Sequence, residues 1–138
     1  MLSAISSTAS IIHLMIVTMR RLIRSFTYAV KGILFTIRNE KNFQIEIVAG
    51  LLAVILMLFF PLSSMERSLI ILSVVWVLTL ELANTALERV MDILKPRVHP
   101  YARVIKDVMA GAVLLASLSA VAIGIAIFSP YLMAFVKS

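Results

Sequence analysis

The 138-residue chain has no cysteine and only 14% charged residues. Without thiols it has no disulfides and no thiolate metal site, and the redox state of its compartment leaves no mark on it. Acids are few, seven against thirteen Lys and Arg, giving a formal net charge of +6. Glycine and proline number four each, no internal repeat or low-complexity linker is visible, and the chain reads as one domain. The first 18 residues lack the basic start of a secretory signal. What remains is 62% hydrophobic, with a mean hydropathy of +1.05, outside the usual balance of a water-soluble domain. The expected fold class is therefore an all-α integral membrane protein. In a soluble protein the positive charge would suggest nucleic acid. Here the bases flank apolar spans, where anionic lipid headgroups are the nearer partner, so no nucleic-acid partner is expected.

Three segments are long and apolar enough for a bilayer that needs about 20 such residues per helix. They are expected at about 45–62, 68–94 and 106–128. Pro61 with Ser63 and Ser64 separates the first two, the proline-containing loop KPRVHPYARVIK separates the second and third, and Pro130 marks the expected end of the last. Upstream, Leu22, Ile23, Phe26, Val30, Ile33, Leu34 and Ile37 form an apolar face interspersed with Arg20, Arg21, Arg24, Lys31 and Arg38. That pattern predicts an amphipathic surface helix over about 20–38. Residues 1–19 read as a weakly ordered or surface-associated lead-in, and 20–138 as the membrane domain. Six Lys and Arg precede the first span, one lies in the first connection, five lie from Arg89 to Lys106, and one is at the C-terminus. This alternation predicts a multi-pass protein with a cytoplasmic N-terminus.

The second span carries the chemistry. Glu81, Asn84, Glu88 and Asp92 fall within a sector of roughly 80° on a helix, so they form one polar seam. A carboxylate in a span costs roughly 2.5 to 3.5 kcal/mol at the helix centre, which calls for a compensating cation or a function. Glu40 precedes the first span, and Lys106 with Asp107 opens the third, so these residues reach the depth of Glu88. Carboxylates from two helix ends suit Mg²⁺, which fills its remaining positions with water and phosphate. Lys106, Arg21 and the cluster from Arg97 to Arg103 can hold a polyphosphate, and Glu81 lies deep enough to meet a lipid hydroxyl. Other readings stay open. The acids also fit ion pairs with Arg89 or Lys106 that only fix helix packing, as in a structural membrane subunit, and a carboxylate ladder also suits a proton-coupled transporter. Asn84 fits a cross-helix hydrogen bond as well as a chemical role. His99 alone fits a headgroup contact better than a metal ligand, and Trp76 reads as a packing aromatic.

The blocks ELANTALERVMDILKP and HPYARVIKDVMAGAVLL, with RNEKNFQIE and YAVKG upstream and Arg21 seven residues before Tyr28, resemble the bacterial integral-membrane diacylglycerol kinase and undecaprenol kinase family over roughly residues 20 to 128. The absence of a GxxxxGK[ST] phosphate loop agrees with that resemblance. It implies a homotrimer in the bacterial cytoplasmic membrane, with a surface helix on each three-span protomer, active sites between neighbouring subunits, and MgATP and a lipid alcohol as substrates. It further implies Glu81 as general base and Glu40 and Glu88 as ligands of Mg²⁺. ATP contacts would come from Arg21, Tyr28, Glu40, Glu88, Arg97, Val98, His99, Lys106 and Asp107. Asn42, Glu46 and Glu81 would meet the lipid headgroup, and Asn84 and Asp92 would support them. Ala29 replaces a serine common in the family, removing one polar lipid contact. The loop KPRVHPYARVIKD more closely resembles the undecaprenol branch, so a polyprenol is the expected acceptor, with diacylglycerol the alternative.

Overall fold

The computed structural model describes residues 2–93 and 101–137, with side chains described from residue 14 onward except at 135. All regular structure among them is helical: α1 (Leu2–Asn39), α2 (Lys41–Phe59), α3 (Ser64–Ile93) and α4 (Tyr101–Val136). The last three are long and apolar enough to cross a membrane, as the sequence predicts. The chain divides into two compact units, Met1–Phe35 and Thr36–Ser138.

In the first unit α1 begins at Leu2, well before the surface helix expected from about residue 20. The cause lies in the chain's composition. The first glycine is Gly32 and the first proline Pro61, so nothing breaks the helix in the lead-in. Hydroxyls that would otherwise compete for backbone groups are absorbed locally. Thr18 Oγ1 donates to the Leu14 carbonyl at 2.9 Å, and Thr27 Oγ1 to that of Ile23 at 2.8 Å.

In the second unit the change from α1 to α2 occupies a single residue. Glu40 is extended, with φ −114° and ψ 112°, and its side chain makes no capping bond to its own helix. Gln44 instead turns back, and its Nε2 donates to the Ile37 carbonyl at 2.8 Å, satisfying a group that the end of α1 leaves open. The start of α3 is a capping box. The Ser63 backbone N–H donates to Glu66 Oε2 at 2.7 Å, and the Glu66 N–H to Ser63 Oγ at 3.3 Å.

α3 packs against both α2 and α4. Its contact with α2 depends on Gly50, where an added Cβ would lie 2.7 Å from Val74 Cγ1. Near the start of α3, Leu62, Ile70, Ile127 and Phe128 form the buried core, and the Phe60 ring lies 5.8 Å from Phe128 and 6.0 Å from Tyr131. The Tyr131 hydroxyl donates to Glu66 at 3.0 Å, joining α4 to the first turn of α3.

Two expectations need correction. α4 does not end near Phe128 but runs through Pro130 to Val136. A proline removes one backbone donor, which a membrane helix tolerates when its neighbours hold the turn. Here Tyr131, just beyond it, is fixed by Glu66 and Phe60. Trp76 is 58% exposed and so lies outside the core of the protomer.

Gly50→Ala is expected to lower stability by about 1 to 3 kcal/mol, because Val74 is β-branched and cannot swing clear. Gly111→Ala, whose added Cβ would meet nothing within 4 Å, is expected to be neutral or mildly stabilising in the protomer. Thermal unfolding of the two variants in detergent checks the contrast. Tyr131→Phe should cost roughly 0.5 to 1.5 kcal/mol in the same assay, through the hydrogen bond to Glu66.

Candidate active site

The 3.6-residue period of α3 places its polar residues on the face that the sequence predicts, and packing buries the upper part of that seam. Glu81 is 3% exposed, Asn84 7% and Thr85 5%, whereas Glu88 is half-buried and Asp92 exposed. The seam therefore passes from a sealed interior to an open end. Asn84 stands beside the Glu81 carboxylate, and its own Oδ1 is buried without a partner among the described residues. An unsatisfied buried acceptor costs on the order of 1 to 3 kcal/mol, and a site that receives a donor from a ligand removes that cost.

Charges from α3 itself and from the joint before α2 act on Glu81. It feels the carboxylates of Glu88 and Glu40, and Glu46 of α2 in turn feels Glu81. Glu46 is half-buried and its Oε2 has no partner among the described residues. Glu40 reaches this group because the one-residue break before α2 frees its side chain to cross to α3, where it forms an ion pair with Arg89. Asp92 pairs with Lys106 of α4 at 3.5 Å. The ion pairing that the sequence left open is thus present for Glu40 and Asp92, at the exposed end of the seam. Glu81 is flanked by acids and an amide.

An apolar cleft of about 490 Å³ lies beside this group. Glu46 lines it, as do Gly50, Val77 and Phe128, and Val77 stands one turn before Glu81 on α3. Ser73, also on its wall, already donates its hydroxyl to the Leu69 carbonyl at 2.7 Å. The cleft thus offers hydrocarbon surface along its length and a carboxylate at one end.

The sequence-derived residues fall into four sets. Glu40, Glu46, Glu81, Asn84 and Glu88 are brought together, with Asp92 and Lys106 paired at the open end. Asn42 and Asp107 are exposed at the surface of the same unit. Arg21 and Tyr28 belong to the first unit, where they are exposed on one line of α1, seven residues and roughly 20° apart. Arg97, Val98 and His99 lie outside the described residues. Two side chains that the sequence did not assign to the site join it. Arg89 holds Glu40, and Thr85 extends the buried seam. Arg89 was legible only as a possible partner for the acids, and Thr85 adjoins Asn84 with no charge to mark it.

Oxygen donors dominate the group, and Glu40 and Glu88 both act on Glu81 electrostatically. Among the described residues no three His, Asp or Glu side chains gather into a cage. Two carboxylates near an open end fit Mg²⁺, which keeps several waters and takes the rest of its ligands from phosphate.

Comparison with known proteins points to one family. The sequence pattern of the prokaryotic diacylglycerol kinase family matches residues 27–128. The chain is 37% identical over 114 residues to the undecaprenol kinase of Bacillus subtilis, covering 83% of this chain and 93% of that protein. It is 34% identical over 113 residues to a diacylglycerol kinase of Synechocystis, covering 81% and 65%, and 36% identical over 101 residues to the diacylglycerol kinase of Escherichia coli, covering 73% and 83%. With most of its length matched and its buried carboxylates gathered beside an apolar cleft, the chain belongs to the prokaryotic diacylglycerol kinase family.

Proposed function

We propose that the protein transfers the γ-phosphate of MgATP to the hydroxyl of undecaprenol in the bacterial cytoplasmic membrane. The observation that carries this reading is the burial of Glu81 at 3% exposure, beside Asn84 and one turn beyond Val77, which lines an apolar cleft. A carboxylate in that position meets an acceptor arriving from the bilayer and is closed to water. Water, the competing acceptor of phosphate, is thereby kept from the reacting group.

Each residue has a part in the reaction. Glu81 accepts the proton of the lipid hydroxyl as its oxygen attacks phosphorus, and ADP leaves. Asn84 orients Glu81 and turns its own Oδ1 toward a donor. Glu46 meets the headgroup at the rim of the cleft, with Asn42 at the approach. Glu40 and Glu88 would hold Mg²⁺, which when bound offsets the charge of the polyphosphate. Lys106, positioned by Asp92, stabilises charge on the transferred group, and Asp107 with Arg97, Val98 and His99 completes the nucleotide contacts. Arg21 and Tyr28 add a basic and an aromatic contact to the nucleotide from α1. The protein acts as a homotrimer with its N-terminus in the cytoplasm, and residues 20–138 form the kinase domain behind a lead-in of 1–19.

Undecaprenol is favoured over diacylglycerol on two grounds. The relative sharing the higher identity over the longer match is named an undecaprenol kinase. The loop KPRVHPYARVIKD also more closely resembles the undecaprenol branch. Diacylglycerol remains the second acceptor to test, because the other relatives are named for it. A proton-coupled transporter gives no account of Lys106 and the basic loop on the same membrane face as the acids.

Incubation of the purified protein with labelled ATP and either lipid should label the polyprenol preferentially. Greater labelling of diacylglycerol overturns the choice of acceptor, and labelling of neither overturns the kinase reading. Glu81→Gln keeps the shape and removes the proton acceptor. It should lower turnover by about 10²-fold or more while nucleotide binding persists. Turnover near that of the parent would remove Glu81 from the chemistry. Glu88→Ala should instead weaken nucleotide binding and shift the Mg²⁺ dependence to higher concentration. Unchanged values of both would refute the metal assignment.

A further inference from the structure

The apolar cleft of the second unit has unlike ends. Among the described residues Glu46 is the one ionisable side chain on its walls, and it stands at the end toward Glu81. Ten residues further along α2, about 15 Å away, the wall reaches Leu56, which it shares at that level with Ile70 of α3 and Phe128 of α4. Ile70 and Phe128 belong to the buried core, and Leu56 packs against it. This end is braced from behind. The Phe60 ring lies 5.8 Å from Phe128 and 6.0 Å from Tyr131, whose hydroxyl donates to Glu66 at 3.0 Å. Short of that end, Gly124 leaves the α4 wall low, and a Cβ added there would meet nothing within 4 Å.

Apolar walls with a carboxylate at one end and a fixed floor at the other suit a molecule with one polar end and one hydrocarbon chain. The cleft holds about 490 Å³. A dry apolar cavity of about 150 Å³ takes a six-carbon ring, so a space of this size takes roughly 20 carbons, or about four isoprene units. We infer that the cleft measures the isoprenoid tail of the acceptor alcohol, with Phe128 as the floor that the chain meets about four units from its hydroxyl. This rests on the kinase reading of the site and deepens it, by naming the part of the acceptor that is recognised and the residue that limits it. The tail arrives from lipid, so removal from water contributes nothing to its binding. What it gains is close contact with fixed walls that pack more densely than a fluid. That gain ends where the walls end, so recognition saturates with tail length, and the remaining units of a longer prenol lie in the bilayer.

Prenols of two, three, four, seven and eleven isoprene units, supplied at equal mole fraction in phospholipid vesicles with the full-length protein and labelled ATP, test this directly. The ratio kcat/KM should rise roughly ten-fold from two units to four and then stay level to eleven. Gly124→Leu places a side chain in the cleft about 6 Å short of Phe128 and should move the plateau to a shorter tail, whereas Phe128→Ala should move it to a longer one. Equal kcat/KM for all five alcohols, or a rise that continues to eleven units, would overturn the inference. A second measurement needs neither turnover nor a variant. A four-unit prenol with a photoreactive group on its last unit, irradiated with the parent protein in vesicles without ATP, should label Phe128 and its neighbours Leu56 and Ile70. Labelling spread over the exposed faces of the three membrane helices would overturn the channel, as would crosslinks that miss the cleft because a second copy of the chain fills it. Labelling at Phe128 without phosphorylation of any alcohol would refute the kinase reading and leave the channel standing.

Discussion

The cost of placing a carboxylate inside a membrane span governs this structure. Glu81 lies in α3 almost without solvent, and a single charge at that depth needs compensation from its surroundings. The protein meets this need unevenly. Asn84 stands beside it, but the charged groups that act on it or feel it, Glu40, Glu88 and Glu46, have the same sign. Among the described residues, Arg89 is engaged further out with Glu40 and Lys106 with Asp92. Such an arrangement is poor as a packing device and suits a site whose charge balance is completed by its substrates. A structural ion pair would place the cation beside the deepest acid.

The remaining architecture holds that acid in place. α3 packs against the helices on both sides of it, and Gly50 permits the close approach of α2. One end of α3 is fixed by its capping box and by Tyr131 from α4. Near the other end, α3 is tied to Glu40 and to Lys106 through side chains on its exposed turns. The aromatic core and the ionic contacts thus lie at opposite ends of the same helix, with the cleft and Glu81 between them. Many large apolar side chains on all three membrane helices remain exposed, surface that lipid can cover.

Much of this was legible in the sequence because its periodicities are strong. The spans follow from the length of their apolar runs. The seam follows from the spacing of Glu81, Asn84, Glu88 and Asp92, and burial of the first two agrees with their position in the apolar half of α3. Helix limits were less legible. Pro130 is a breaker by local rule, yet a distant hydroxyl acceptor, Glu66, supports the turn beyond it. The lead-in, rich in Ser and Thr, read as weakly ordered or surface-associated, but α1 runs through it because neither Gly nor Pro interrupts. Ser63 and Glu66 form a recognisable capping signature, but the serines were read only as a break between spans. The exposure of Trp76 and the pairing of Glu40 with Arg89 depend on which faces of two helices meet, and a single chain's pattern does not contain that information.

The junction at Glu40 leaves no slack in the polypeptide. One extended residue is about as short a joint as two helices can share, and this one also bears a side chain committed to α3. Adding a residue next to it would turn the following helix by about 100° against the preceding one, or swing the carboxylate to another face. Chain length is therefore fixed here as firmly as residue identity. The joint is a fixed spacer whose own side chain is held against α3.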